Sequence, residues 1–294
     1  MKSNYLIQVM NSLDVLLVET LLIVREKVKY NNGIRYILGD ITTDIDIITD
    51  VDVEIGDIVK AIIRNNTIEQ ISIYKGEYDL RDFMPFVKKD INSILNELES
   101  FTTEKFKTRE AIELNNYFFK NKEFLREFSN GIGGLGHHVY MGGLAEHTLN
   151  VVYWTSKLID RYQCRHKEIA LLSAKLHDIG KIYEYNYRGK FKTTLRGEME
   201  GHIVIGITML DEAFKKNPKI YTEDFINRIK GCIVQHHGDV QYGSPKSPNT
   251  EEAFIVHYAD YIDATMSKIS KVRDETPNNT WSMYSEDIKT RIFK

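Results

Sequence analysis

The chain reads as an α+β protein in two parts, a small N-terminal β-barrel followed by an all-α helical bundle. Residues 17–75 carry short apolar runs with period-two alternation and turn signals between them. From Phe86 onward the apolar residues recur at three- and four-residue steps, the helical spacing. All nine histidines fall in the helical part.

Composition narrows the class. Hydrophobic residues make up 42% and charged residues 28% of 294, an ordinary globular balance that can bury one or two cores. No apolar run reaches the roughly 20 residues of a membrane span, and Met1 to Met10 lacks a basic segment followed by an apolar one. Two cysteines, Cys164 and Cys232, make neither a disulfide framework nor a CxxC site and read as free thiols of a reducing cytoplasm. The formal net charge is −3. Residues 1–85 hold 9 basic and 14 acidic side chains, the remainder 30 and 28. A protein that binds nucleic acid by phosphate neutralisation alone is strongly basic. Any such contact here must be local, or metals must hold the phosphate.

The strand signals come first. Leu17 to Tyr30 is rich in Leu, Val and Ile, and Asn31-Asn32-Gly33 marks a hairpin turn into Ile34 to Leu38. Asp44-Ile45-Asp46-Ile47 and Val51 to Ile55 alternate, Gly56-Asp57 turns, and Ile58–Arg64 and Thr67–Tyr74 pair around Asn65-Asn66. About five short strands suit an OB-like barrel in residues 1–85. Tyr30, Tyr36 and Tyr74 could stack bases, although a core or plain surface role is the commoner use of a strand tyrosine. A helical connector follows over residues 86–130, then a glycine cluster, Gly131 to Gly136, that opens the last domain, 131–294. Helices are expected over 144–162, 167–179, 198–216, 223–236 and 251–271, and a short one in the tail after Pro277.

Seven potential ligands sit in or at the ends of these helices: His147, His177, Asp178, His202, His236, His237 and Asp260. His147 shares an apolar stripe with Leu144, Val151 and Leu158 and so points inward. A lone histidine there is more often a satisfied core residue, so the case rests on the ensemble. Side chains at adjacent helix positions diverge by about 100°. His177-Asp178 can therefore grip a cation from two directions, or Asp178 can bridge two; His236-His237 repeats the device. Asp260 lies mid-helix among apolar neighbours, which is costly unless it is paired or metal-bound. Imidazole and carboxylate together suit Mn, Fe, Co, Ni or Zn. Two such ions about 3.5–4 Å apart can serve both ends of an in-line displacement at phosphorus.

The order His147, then Leu176-His177-Asp178-Ile179-Gly180-Lys181, then Asp260 resembles the H…HD…D signature of HD-domain phosphohydrolases. Gly142 to Thr148, His236-His237-Gly238 with Tyr242 to Pro245, and His257 to Asp260 resemble the YhaM-type 3′–5′ exoribonucleases, which join an OB-fold to an HD domain. The resemblance implies one metal on His147, His177, Asp178 and Asp260 and a second on Asp178, His202, His236 and His237, with manganese the leading ion. It implies catalytic roles for Asp178 and Lys181, the lysine on a phosphate oxygen, with His138, Ser244 and Lys246 as substrate contacts and His257 in packing or support. The cation at a helix end is the plainer reading of Lys181, and a solvated loop that of Lys246. The expected activity is metal-dependent 3′–5′ hydrolysis of single-stranded RNA or DNA by an activated hydroxide, with no membrane role and a homo-oligomer allowed. The competing readings are a phosphodiesterase or nucleotidase for a small nucleotide and a non-catalytic nucleic-acid binder.

Overall fold

The computed structural model describes residues 6–11, 17–30 and 33–294. These form two compact units, one of residues 1–86 with 186–192 and one of 87–185 with 193–294.

The first unit is a curled five-stranded antiparallel sheet, a half-barrel of OB-like form, with strand order β3-β2-β1-β4-β5. The strands are β1 (Val18–Tyr30), β2 (Gly33–Gly39), β3 (Asp44–Thr49), β4 (Ile58–Arg64) and β5 (Thr67–Ile73). The 13-residue β1 is shared. Its first half pairs with β4 from Val18↔Ile63 to Ile23↔Ile58, and its second half with β2 from Ile23↔Gly39 to Tyr30↔Gly33. A bulge between Val24 and Glu26 lets one strand turn from one partner to the other. β3 and β5 touch but share no ladder. The alternation works as expected in β3, where Ile45 and Ile47 turn inward while Asp44 and Asp46 are exposed. Leu22, Val24, Leu38, Val59, Ala61 and Ile63 fill the core. Tyr36 is fully buried with its hydroxyl accepting from Val53 N, so it is a core tyrosine and not a stacking surface. The Asn31-Asn32 part of the expected turn lies outside the described residues. A short helix, α1 (Leu6–Met10), puts Leu6 into the same core.

The second unit holds α2 (Ile91–Thr103), α3 (Arg109–Phe119), α4 (Lys122–Asn130), α5 (Gly143–Tyr162), α6 (Lys167–Leu176), α7 (Lys181–Glu184), α8 (Leu195–Lys216), α9 (Glu223–Gln235) and α10 (Glu251–Glu275). Between α7 and α8 in the chain comes a two-residue ladder of β6 (Tyr185–Asn186) and β7 (Lys192–Thr193), of which Asn186 and Lys192 fall in the first unit. Local sequence sets the starts. Asp90, Thr108, Asn121, Thr194, Thr222 and Thr250 each cap a helix by accepting a backbone N–H two or three residues on, which satisfies amides left free in the first turn. The helices of 91–130 share one core with α5, α6, α8, α9 and α10. Phe118, Phe119, Phe124 and Phe128 pack there with ring centroids 5.2–5.7 Å apart, each pair worth about 0.5–1.5 kcal/mol beyond its buried area. The expected helix in the tail is absent. Trp281 instead bridges Phe293 and Ser285 bridges Thr290, with Lys289 in a left-handed turn between them. Cross-strand packing of Trp281 on Phe293 outweighs a weak local helical preference.

Candidate metal centre

Five elements of the helical unit bring the seven predicted ligands together. His147 comes from α5, His177 and Asp178 from the turn after α6, His202 from α8, His236 and His237 from the end of α9, and Asp260 from α10. The turn that carries His177-Asp178 packs so closely on α8 that a Cβ at Gly180 would lie 2.0 Å from the His202 carbonyl oxygen, which is why glycine stands there.

Each of four imidazoles is fixed through Nδ1. His177 donates to Ala174 O at 2.8 Å, His236 to Ile233 O at 2.7 Å, His147 to Asp263 Oδ2 at 2.7 Å and His202 to Glu184 Oε2 at 2.9 Å. A carbonyl or carboxylate only accepts, so the Nδ1 proton is committed and Nε2 is left as a bare lone pair. Those lone pairs converge. His147 Nε2 and His177 Nε2 stand 3.2 Å apart, and both lie 3.2 Å from Asp178 Oδ2. Asp260 Oδ1 lies 3.2 Å from His147 Nε2 and 3.8 Å from His177 Nε2. On the other side, Asp178 Oδ1 is 3.6 Å from both His202 Nε2 and His236 Nε2, and His202 Nε2 is 3.2 Å from His237 Nε2. The two oxygens of Asp178 thus face two separate nests, the arrangement a bridging ligand needs.

The donor set fits a cation in each nest. Buried lone pairs aimed at one another repel unless a positive charge sits between them. Donors bonded at about 2.0–2.1 Å in a tetrahedron lie about 3.3 Å from each other, close to the spacing here. Asp178 Oδ1 and His236 Nε2 are buried with no hydrogen-bond partner, a costly state that a ligated ion relieves. His147, His177 and Asp260, and separately His202, His236 and His237, form groups able to hold a metal ion. The electrostatics agree. Burial disfavours charge on Asp178, Asp260 and Asp263, yet the imidazoles beside them, joined at Asp178 by the Lys181 ammonium, outweigh it and hold all three carboxyls below the usual carboxylate range. Burial keeps His237 neutral, with its pKa pushed down to about 2, and lowers His236 as well. His147 goes the other way. Its burial resists charge, but Asp178, Asp260 and Asp263 together pull a positive charge to it. A cation held by those carboxylates would supply that charge in place of a proton.

Sequence reasoning missed the supports. Asp263 accepts from His147 Nδ1 and from His138 Nε2 at 2.8 Å on one oxygen, and from Asn150 Nδ2 at 2.8 Å on the other. Glu184 accepts from both His202 N at 3.1 Å and His202 Nδ1. The first of these bonds exists because Gly201, at φ 70°, breaks α8 and frees the amide of His202. Asp263 falls one turn after Asp260, a spacing that could have flagged it; Glu184 had no such signal.

The predicted substrate contacts are placed differently. His138 is buried with both ring nitrogens engaged, Nε2 by Asp263 and Nδ1 by the Tyr140 hydroxyl at 2.7 Å, which itself donates to Glu146. Its neighbour His137 has a buried, unpartnered Nε2 and packs edge-on to His147 with ring centroids 5.0 Å apart. His137, Lys181, His237, Tyr242, His257, Asp260, Tyr261, Ala264 and Lys268 line an open cavity of about 190 Å³ over the centre. Ser244 is buried and Lys246 exposed, and neither is among those lining residues. Lys181 Nζ donates to Asp178 Oδ2 and to Gly133 O, each at 2.6 Å. His257 donates Nδ1–H to His236 O at 2.9 Å, a packing and support role.

Residues 144–265 match the family described as HD domain. The chain carries an HD domain. Among its relatives, the "3'-5' exoribonuclease YhaM" of Bacillus velezensis is 29% identical over 240 residues, covering 77% of this chain and 76% of the relative. The protein of the same name from Bacillus subtilis is 32% identical over 157 residues, 53% of this chain and 49% of its own length. That from a Geobacillus species is 30% identical over 157 residues, 53% of this chain and 48% of its own. The chain thus spans about half the length of the second and third relatives. The OB-like sheet precedes the segment that matches the HD domain. No solved structure matches the chain. Among the described residues no helix is long and apolar enough to cross a membrane.

Proposed function

We propose that the chain is a metal-dependent 3′–5′ exoribonuclease that hydrolyses phosphodiester bonds of single-stranded RNA, with single-stranded DNA as a second substrate. The observation that carries this reading is the convergence of bare imidazole nitrogens on the two oxygens of one buried aspartate, within a chain similar to one exoribonuclease along 77% of its length. His147, His177, Asp178 and Asp260 would hold one divalent ion and Asp178, His202, His236 and His237 the other, manganese first. When bound, such ions lower the pKa of water and neutralise charge on a phosphoryl group in displacement.

The chain's own residues do the rest. Asp178 keeps its charge and orients both nests. Lys181 commits two of its three ammonium protons, to Asp178 and Gly133, which leaves one for a phosphate oxygen. His137, held neutral by burial at a pKa of about 2, lines the same cavity and would donate its ring N–H to a second phosphate oxygen. His138 stiffens the loop behind it. A small-nucleotide phosphodiesterase needs no second, sheet-built unit, and none of the seven ligands is lost as in a degenerate binding module.

The test is incubation of metal-loaded protein with Mn²⁺ and 5′-labelled single-stranded RNA. A ladder shortening stepwise from the 3′ end, abolished by chelator and restored by Mn²⁺, is the expected result. Internal cuts, release of the 5′ label as mononucleotide, or turnover that persists after the metals are stripped would each refute it.

A further inference from the structure

Four aromatic rings that the metal centre does not use stand in one continuous path. Tyr242 and Tyr261 line the cavity and are 65% and 62% exposed. From Tyr261 the solvent face of α10 continues through Tyr258 and Phe254, 52% and 44% exposed. Positions 254, 258 and 261 share one helical stripe, beside the face that bears His257, Asp260 and Ala264. The Phe254 and Tyr258 rings are nearly parallel, 23° apart with centroids at 6.3 Å. Seven residues of helix separate Phe254 from Tyr261, about 10 Å of rise, which matches about three nucleotides at ~3.4 Å each.

We propose that Tyr242, Tyr261, Tyr258 and Phe254 form a base-stacking track that receives single-stranded nucleic acid as it leaves the cavity along α10 toward its N-terminal end. The proposal rests on the exonuclease reading and adds what holds the strand behind the bond being cut. Charge argues for stacking. With a formal net charge of −3 the chain has no general excess of cations for phosphate, so affinity for a strand must come from elsewhere. Aromatic faces supply it without regard to base identity, because every base has a π-face. Cationic partners stand at the mouth, where Lys181 and Lys268 line the cavity with Tyr261. The other exposed apolar groups of this unit, such as Leu195 with Met199 and Trp281 with Met283, are not among the residues lining that cavity.

The experiment uses full-length, metal-loaded protein and two 10-nucleotide RNAs, one intact and one with abasic sugars at the second to fourth positions from the 3′ end. Wild-type protein should show a KM for the abasic strand roughly tenfold or more above that for the intact one, the scale of one or two lost stacks. Phe254→Ala/Tyr258→Ala, which keeps Tyr242 and Tyr261, should bind the intact strand more weakly than wild type does and show a smaller difference between the two strands. Phe254→Tyr/Tyr258→Phe, which keeps both rings, should restore the difference. An alanine variant that still discriminates as wild type does overturns the track. So does an equal loss on both strands, and so does a changed oligomeric state with RNA binding intact, which would make the row a contact between copies of the chain. Wild-type protein that neither binds nor cleaves the intact RNA would instead remove the exonuclease reading itself.

Discussion

The two carboxylates behind the ligands allow the nests to be perturbed separately. Asp263→Asn reaches the support of His147, and with it His138, and leaves that of His202 untouched. Asn150 can turn its amide to present oxygen to the new NH₂, while the remaining oxygen still accepts from His147 and His138. The fold therefore loses little, and what disappears is the negative charge that fixes the His147 ring. Supports of this kind are worth about 10- to 100-fold in metal affinity, or about 1.4–2.7 kcal/mol. Glu184→Gln does the same to His202, with the added cost that one of the two N–H groups it now serves must face an NH₂, about 1–3 kcal/mol locally. Asp263→Asn should weaken the ion on the His147 side, and Glu184→Gln the one on the His202 side. Metal per chain is read by elemental analysis across a chelator series for wild type and both variants. Each variant should shed one of two ions about 10- to 100-fold earlier than wild type and keep the other. Loss of both ions in parallel in either variant, or wild-type retention in both, would refute the division into two separately supported nests.

Two further outcomes follow from buried groups. His137→Ala should leave metal content unchanged and cut turnover roughly 10- to 100-fold, the cost of one hydrogen bond to a charged phosphate; kinetics equal to wild type would return His137 to a packing role. Lys175 is buried on α6 with its ammonium on Glu99, Thr102 and Asn115, and burial pushes its pKa down to about 8. A lysine with a folded pKa below its unfolded value binds fewer protons when folded, so stability should rise as pH climbs from about 8 to 10.5, by up to about 3 kcal/mol, with the full penalty present below 8. Urea unfolding of wild type and Lys175→Met at pH 7.5 and 10 checks this, and parallel behaviour of the two proteins would sink it.

The convergence of the seven residues was legible because adjacent pairs such as His177-Asp178 and His236-His237, placed at helix ends, carry a pattern that survives without coordinates. The strands were legible for a similar reason, since alternation in Asp44 to Ile47 declares which side is wet. The supports were not. Asp263 meets His147 across 116 positions, and Glu184 reaches the His202 amide because Gly201 breaks a helix that periodicity reads as continuous. That His137 rather than His138 lines the cavity goes with a left-handed residue, His138 at φ 48°, inside a loop whose path the glycines permit but do not announce. The tail was misread because Trp281 and Phe293 find each other across a turn, a cross-strand pairing that local propensity does not contain.

Residues 186–192 belong to the sheet unit although they are encoded in the midst of the helical one. Gly189 there lies against Arg25 O and Ile55, and Lys190 donates its amide to Arg25 O at 3.3 Å. No single cut in the chain yields the two units, and a gene fragment starting at Val87 would encode a seven-residue stretch separated from its neighbours. That stretch joins Glu184 to the helix bearing His202, the two ends of one support for the second nest. The sheet and the HD domain are therefore not a pair of beads that recombination could exchange freely. A substitute for the N-terminal unit would have to receive this inserted segment as well.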